Sequence, residues 1–349
     1  MSAIPSTIRP VDDPALLHKV QARLDNLTKP PGSLGRLEEI VRWYCLARAE
    51  FMPELPRKVL YVFCADHGIT AEGVSAYPSE VTPQMAYNFA GGGAAINALC
   101  RQFEIEAAVV DIGVAADLDP SLPILARKIA PGTRNFAHEP AMSRAQAEQA
   151  VAIGAELARQ AVDAGATLLA AGEMGIGNTT AAAAVSAALI GCKAAEVAGR
   201  GTGVDDERLV HKTAVIDRAL DARAPDAADP IDVLSKVGGF EIAAMAGFYL
   251  GAADRRAPSV VDGFIATAAA LAAIRLQPAL VGYLLFAHRS AESGHWRQLE
   301  AIGARPLLDL GMRLGEGTGA AIAMGLVAAA LRTYREMASF ESAGVSNRS

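Results

Sequence analysis

The chain has 349 residues, of which 52% are hydrophobic and only 5% aromatic, a composition that excludes a disordered chain and suits helices packed closely on a sheet. The net charge of −6, with acidic and basic residues interleaved, excludes a basic surface for nucleic acid, so we expect no nucleic-acid partner. The longest apolar stretches are too short for a membrane span, and the N-terminus lacks the apolar core of a secretory signal. The four cysteines are widely spaced and are expected to be reduced, so a cytoplasmic enzyme is the default prediction.

In chain order, two helices are expected at residues 12–24 and 33–51. Apolar runs of strand length follow at residues 59–65, 106–112, 167–171, 259–262 and 279–286. Helical patterns occupy residues 81–101, 143–165, 179–190, 206–222, 239–253, 263–276 and 317–337. Short apolar strands that alternate with helices predict an α/β fold with a doubly wound, mainly parallel sheet flanked by helices.

This pattern divides the chain into three segments. Residues 1–55 are predicted to supply the N-terminal helices of a small helical subdomain, and residues 56–315 the α/β domain. Residues 316–349 are predicted to be a C-terminal helix that packs back on the small subdomain and ends in a frayed tail.

The most informative segment is residues 167–180, in which an apolar run ends in a glycine-rich turn that opens an alanine-rich helix. We expect Gly175 and Gly177 to let the backbone approach a ligand, and the free N–H groups of the helix to bind a phosphate. Glu173 would repel phosphate, so it is expected to face a second, uncharged part of the substrate. Ligands of open parallel sheets bind beyond the carboxyl ends of the strands, which predicts one shared site there.

Glu316 opens the last helix and is flanked by Gly315 and Gly317, with Gly319 close behind. A glutamate in a first helical turn can simply complement the helix dipole, but that role does not account for the three glycines. We expect the glycines to leave the carboxylate open to a ligand, and the pattern favours a catalytic role.

Other motifs leave alternatives open. Asp66 and His67 form a weak candidate for a metal site, and a structural role in the turn is favoured. The loop at residues 199–205 is either a plain connection or a flexible cover for a phosphate, with Lys212 near enough to act as a point charge. Ser290 either caps a helix or donates to a phosphate.

Two further classes of function compete with an enzyme that acts on a phosphorylated small molecule. The turn at Gly175 and Gly177 lies between a strand and a helix, as in a nicotinamide-dinucleotide-dependent oxidoreductase, and Glu196 has the spacing of a ribose-binding acid. However, no apolar strand precedes Glu196, and the third glycine of that fingerprint is missing. A metabolite-binding or scaffold protein without catalysis is the third class, and Glu316 argues mildly against it.

Taken together, the motifs closely resemble those of the nicotinate-nucleotide–dimethylbenzimidazole phosphoribosyltransferase family, which acts in cobalamin nucleotide-loop assembly. The resemblance covers residues 29 to 325 in order and leaves out the first residues and the last dozen. The matching motifs are KPPGSLGRLE (29–38), ADHG (65–68), EGVSAYPSEVT (72–82), EMGIGNTT (173–180), GRGTG (199–203), VDGF (261–264) and LGEGTG (314–319).

The resemblance implies a pentosyltransferase that moves phosphoribose from nicotinate mononucleotide to 5,6-dimethylbenzimidazole with inversion at C1′. It implies that Glu316 is the general base and that Glu173 is the second catalytic residue. It also implies a homodimer that uses neither a metal nor an organic cofactor.

Carrying the family's motifs over residue by residue, we expect the loop around Ser79 to Gln84 to line the pocket for the aromatic base. The backbone from Gly175 to Asn178, with Lys212 and Ser290, is expected to hold the phosphate. The complete set of predicted substrate-binding residues is Ser79, Gln84, Met174, Gly175, Ile176, Gly177, Asn178, Thr179, Gly201, Lys212, Asp262, Ser290 and Leu314.

Overall fold

The computed structural model describes residues 7–201 and 203–346, and within them six strands form one sheet. The strands are β1 (Lys58–Ala65), β2 (Ile105–Gly113), β3 (Ile124–Ala126), β4 (Leu168–Met174), β5 (Ser259–Val261) and β6 (Leu284–Phe286). Their order is β3-β2-β1-β4-β5-β6, and every neighbouring pair is parallel. The order reverses between β1 and β4, so the predicted doubly wound α/β fold is confirmed.

Helices cover both faces of this sheet. They are α1 (Pro14–Asn26), α2 (Arg36–Arg48), α3 (Val81–Ala90), α4 (Ala95–Gln102), α5 (Arg144–Asp163), α6 (Asn178–Ile190), α7 (Ala194–Val197), α8 (Asp206–Arg223), α9 (Pro230–Val237), α10 (Phe240–Asp254), α11 (Phe264–Leu276), α12 (His295–Ile302), α13 (Thr318–Glu336) and α14 (Phe340–Ala343). Short 3-10 helices occupy Gly68–Glu72 and Pro278–Tyr283. In the described part of the chain, no helix is both long and apolar enough to cross a membrane.

The two faces of the sheet bury two separate hydrophobic cores. On one face, α5, α6, α10 and α11 cover strand residues such as Phe63 and Leu169. Helices α5 and α10 approach closely, because a methyl group on Gly154 would lie only 1.8 Å from the carbonyl oxygen of Ala244. Small residues at this contact explain the alanine- and glycine-rich composition.

The opposite face of the sheet is covered by α1, α2, α4 and α13. Arg23 of α1 donates to the carbonyl oxygen of Tyr334 in α13 at 2.8 Å, which links the two ends of the chain. These helices share a core with the sheet, and their division into a small subdomain at residues 1–55 and 316–349 stays a prediction. Part of the tail is ordered rather than frayed, because Ser339 caps α14, whereas residues 347–349 lie outside the described residues.

The carboxyl ends of the central strands meet at one edge of the sheet. Asp66 follows β1, Gly175 follows β4, Asp262 follows β5 and Ala287 follows β6. The loops that carry the predicted site residues therefore converge, as expected for an open parallel sheet.

Candidate active site

A cavity of about 410 Å³ lies at this edge of the sheet. Eleven of the predicted site residues line it: Glu173, Met174, Gly175, Ile176, Asn178, Thr179, Gly201, Asp262, Ser290, Leu314 and Glu316. A cavity of this size is in the range that holds small-molecule ligands. The structure therefore brings together residues separated by more than a hundred positions in the sequence.

Four predicted residues do not line this cavity. Ser79 instead donates to the hydroxyl of Thr70 at 3.1 Å, and Gln84 is exposed on α3. Gly177 lies beneath the turn as the N-cap of α6, and Lys212 is buried behind Thr179. The loop around Ser79 to Gln84 therefore borders the cavity through Val81, but not through Ser79 and Gln84 themselves.

The cavity wall is instead formed by neighbours of those two residues. Tyr77 precedes α3, while Val81 and Met85 are four positions apart and so lie on the same face of that helix. Their apolar side chains are suited to an aromatic ring. The helical spacing of Val81 and Met85 was a signal in the sequence that could have selected this face over Gln84.

Other lining residues were missed by the sequence analysis. They are Gly263, Phe264, Ile265, Ala266, His288, Glu292, Arg313 and Gly315. Six of these eight residues lie within two positions of a predicted residue, so the sequence located the segments correctly but not each side chain within them.

The glycine-rich turn before α6 is held by contacts within the protein. A methyl group on Gly175 would lie 2.3 Å from the carbonyl oxygen of Ala65, at the end of β1. This glycine therefore also allows the turn to pack on β1, and the expectation that it lets the backbone approach a ligand stays a prediction. The N–H of Ile176 donates to Oγ1 of Thr82 at 3.1 Å, and the side-chain amide of Asn178 donates to the Glu173 carboxylate.

Lys212 supplies a buried cation behind the same turn. Its Nζ donates to Oγ1 of Thr179 at 2.9 Å and to the carbonyl oxygen of Gly199 at 3.2 Å. Burial lowers the pKa of Lys212 to about 8, and the negative charge of Glu292 acts in the opposite direction. Glu292 lines the cavity, and the backbone of Gly201 donates to its carboxylate. The arrangement places a positive charge close to the N-terminus of α6.

Ser290 is positioned by a buried histidine. Its N–H donates to Nδ1 of His295 at 2.8 Å, and Nε2 of His295 lies 2.9 Å from the hydroxyl of Thr267. Burial lowers the pKa of His295 to about 3, so this ring is neutral and its Nε2–H donates to Thr267. The Ser290 hydroxyl accepts from the N–H of Glu292 at 3.2 Å, so it supports a local turn and not the N-terminus of α12.

Four carboxyl groups line the cavity: Glu173, Asp262, Glu292 and Glu316. Burial raises the pKa of Glu173 well above its usual range, and the charge of Asp262 adds to this, while the hydrogen bond from Asn178 opposes it. Burial also raises the pKa of Glu316, against a hydrogen bond from the backbone of Ile96. Both carboxyls therefore bind a proton more readily than an exposed glutamate does.

Besides Glu292, Glu316 has a free acceptor atom in this group. The residue is only 6% exposed, and its Oε2 has no hydrogen-bond partner among the described residues. A buried carboxylate oxygen without a partner is costly, which points to a ligand that supplies one.

The glycines around Glu316 shape the backbone that carries this residue. Gly315, Glu316 and Gly317 have φ angles of +87°, +62° and +87°, in the left-handed region that favours glycine. A methyl group on Gly315 would lie 2.3 Å from Oε1 of Glu173, and one on Gly319 would lie 2.1 Å from the His288 ring. The glycines therefore permit an unusual backbone and close packing, and the expectation that they leave the carboxylate open to a ligand stays a prediction.

The structure argues against the two remaining alternatives for individual motifs. Glu196 is exposed on α7 and forms an ion pair with Arg297 at 3.1 Å, so it is not placed as a ribose-binding acid after a strand. Asp66 accepts from the N–H of Ala115 at 2.8 Å, in keeping with the structural role that we favoured for it. No group of three or more potential metal ligands occurs within residues 7–201 and 203–346.

Comparison with known proteins identifies the family. A family model described as phosphoribosyltransferase matches residues 8–345. The nicotinate-nucleotide–dimethylbenzimidazole phosphoribosyltransferase of Geobacter sp. (strain M21) is 53% identical over 340 residues, which cover 97% of each chain. That of Chlorobium chlorochromatii (strain CaD3) is 53% identical over 343 residues, 98% of this chain and 97% of the relative.

Solved structures agree with these relatives. The crystal structure of CobT from Thermus thermophilus is 49% identical, has a TM-score of 0.92 and covers 96% of this chain and 100% of its own. A structure of the nicotinate-nucleotide–dimethylbenzimidazole phosphoribosyltransferase from the same organism is 48% identical with a TM-score of 0.91, over 97% of this chain and 100% of its own. None of these relatives supports the oxidoreductase alternative. The chain belongs to the nicotinate-nucleotide–dimethylbenzimidazole phosphoribosyltransferase family.

Proposed function

We propose that this chain transfers the phosphoribosyl group of nicotinate mononucleotide to 5,6-dimethylbenzimidazole in cobalamin biosynthesis. The products are α-ribazole 5′-phosphate and nicotinate. The chain matches the family over nearly its whole length, and this membership supports the reaction. The observation that carries our assignment of the site is the buried, unpartnered Oε2 of Glu316 at the wall of the cavity.

The reaction needs one proton acceptor and little acid catalysis. One ring nitrogen of the benzimidazole forms a bond to C1′ while the bond from C1′ to the nicotinate nitrogen breaks. The bonding electron pair returns to the pyridine ring, which is a good leaving group because its nitrogen is quaternary. Attack from the opposite face inverts the β-nucleotide to an α-riboside.

Glu316 removes the proton that the attacking ring must lose. The second nitrogen of the benzimidazole carries an N–H, and the ring would become cationic if that proton stayed. The Glu316 carboxylate accepts it, and its raised pKa makes it a better base than an exposed glutamate. Its negative charge also stabilises the positive charge that develops in the ring.

The two substrates are assigned to different walls of the cavity. The aromatic base packs against the apolar side chains of Tyr77, Val81 and Met85, within reach of Glu316. The 5′-phosphate binds at the N-terminus of α6, where helix N–H groups and the buried charge of Lys212 favour an anion. Ser290 lies on the same cavity wall and adds a hydroxyl donor.

Two further features belong to the same proposal. A homodimer is expected from the resemblance to the family, and light scattering coupled to size-exclusion chromatography measures it directly. A cytoplasmic location is expected because the reaction uses nucleotide substrates, and cell fractionation tests it.

Direct product analysis tests the function. The purified chain is incubated with nicotinate mononucleotide and 5,6-dimethylbenzimidazole, and the products are separated by chromatography. We expect α-ribazole 5′-phosphate with equimolar nicotinate, and NMR of the anomeric proton distinguishes the α from the β product. Absence of this product from folded enzyme, or tight binding of a nicotinamide dinucleotide in calorimetry, would count against the proposal.

A further inference from the structure

A second acidic residue of the cavity bears directly on the catalytic base. We propose that Asp262 is a positioning residue for Glu316, which holds the backbone that carries this glutamate and does not itself bind substrate. The inference rests on the proposed function, in which Glu316 is the general base.

The backbone at Glu316 needs to be held in place. A non-glycine residue at φ +62°, between two glycines at +87°, adopts a conformation that side chains rarely tolerate. Such strain persists only where the surrounding structure enforces it, and it concentrates at functional sites. The groups that hold this strained backbone therefore also set the orientation of the Glu316 carboxylate.

Asp262 provides that restraint on the C-terminal side of Glu316. Its Oδ2 accepts from the N–H of Gly317 at 3.3 Å, and its Oδ1 accepts from the N–H of Ala320 at 2.8 Å. The carboxylate therefore caps the first turn of α13 from another part of the chain, as an N-cap side chain would. Asp262 directly follows β5, which pairs with β4 and β6, so the restraint is anchored in the centre of the sheet.

The same contacts leave Asp262 little capacity for a ligand. Both of its oxygens accept backbone N–H groups, and a third hydrogen bond comes from the backbone of Gly319. His288 lies on the other side, with Nε2 at 3.9 Å from Oδ1 of Asp262. Asp262 is 3% exposed, so it lies in the cavity wall because it caps the first turn of α13 there, and not because it is open to a ligand.

The charge of Asp262 also acts on Glu316. The other titratable and charged groups around Glu316 are Glu173, whose carboxylate adjoins Gly315, His288 beyond Asp262, and Arg313 at the exposed rim. The negative charge of Asp262 raises the pKa of Glu316. Removal of that charge should lower this pKa, so the acidic limb of the pH–rate profile should move to lower pH.

Asp262→Asn tests the proposal, because asparagine also caps helices but carries no charge. We expect kcat to fall by about 10- to 100-fold, as a small misplacement of a catalytic group does, while the KM values for both substrates change little. The acidic limb of the kcat profile should shift to lower pH. Asp229→Asn, which alters the cap of α9, is the matched control and should leave kcat and the profile unchanged.

A double variant separates positioning from substrate binding. If Asp262 acts through Glu316, then Asp262→Asn should cause no further loss of kcat in the Glu316→Gln background. Losses that add in the double variant, or a single variant with wild-type kcat and an unshifted acidic limb, would overturn the inference. Asp262→Ser, which keeps one cap acceptor, replaces Asp262→Asn if circular dichroism shows that the latter does not fold.

A measurement without turnover keeps this inference distinct from the proposed function. Carbon-13 NMR of labelled glutamate carboxyls follows the titration of Glu316, whose signal is assigned by its absence in Glu316→Gln. We expect a lower midpoint in Asp262→Asn than in the unmodified chain, and an unchanged midpoint would contradict the inference. A chain that makes no α-ribazole 5′-phosphate would refute the proposed function while leaving this titration valid.

Discussion

The backbone position of Glu316 can be perturbed from a residue that touches neither substrate nor the carboxylate. Gly172 lies in β4, and a methyl group there would be 2.3 Å from both the carbonyl carbon and the carbonyl oxygen of Glu316. Ordinary van der Waals contact begins at about 3.4 Å, so Gly172→Ala must move the β4 and Glu316 backbones apart by up to about 1.1 Å. A displacement of about 1 Å at a catalytic group can cost about 10²-fold in rate, and overpacking costs about 1–3 kcal/mol of stability.

The assay compares kcat of folded Gly172→Ala with that of the unmodified chain at saturating concentrations of both substrates. Gly91→Ala is the matched control, because its methyl group would lie 3.4 Å from the nearest atom and its backbone φ is −77°. We expect the control to retain full activity. A Gly172→Ala protein that melts normally and keeps the wild-type kcat would refute the idea that the position of Glu316 limits the reaction.

Three other predictions concern ionisable groups. Glu316→Gln should lower kcat by about 10²–10⁴-fold in the product assay, while Glu173→Gln should be milder because burial already favours a neutral side chain there. Since the pKa of Lys212 is about 8, kcat/KM for nicotinate mononucleotide should fall as the pH rises through that value, and Lys212→Met should abolish this limb in a pH series. Glu241→Ala should cost about 3–5 kcal/mol in urea unfolding, because it leaves His67 without its buried partner at 2.7 Å, and Glu241→Gln should cost less. A Glu241→Ala protein as stable as the unmodified chain would show that the buried pair contributes little.

Most of the sheet could be predicted because its central strands are buried on both faces. Strand β1 is a continuous apolar run at residues 59–65, β4 at residues 168–172 and β2 at residues 107–110, and such runs are typical of parallel sheets. Strand β3 was missed because its apolar run is only three residues long, too short to indicate a strand. The strand predicted at residues 279–286 is longer than the observed β6, because the first part of this segment forms a 3-10 helix that begins at Pro278.

The site could be predicted by segment but only in part by side chain. The carboxyl ends of parallel strands meet at one edge, so the segments after β4, β5 and β6 had to lie together. Which side chains face the cavity depends on tertiary packing. Gln84 and Met85 are adjacent in the sequence, yet only Met85 faces the cavity. Helix α3 buries the face that carries Thr82, Ala86 and Phe89, and Gln84 lies on its exposed side.

The glycines around the base show most clearly where sequence reasoning stops. A sequence shows that Gly315 and Gly317 carry no side chains, and it is natural to infer empty space. In the structure that space is already filled, by the Glu173 carboxyl against Gly315 and by Leu60 and Gly172 against Gly317. The absent side chains allow backbone and neighbouring groups to approach, so the backbone that carries Glu316 is held by dense packing. A base that is fixed in this way needs no rearrangement when the substrate binds, and fixed orientation is itself a large source of rate.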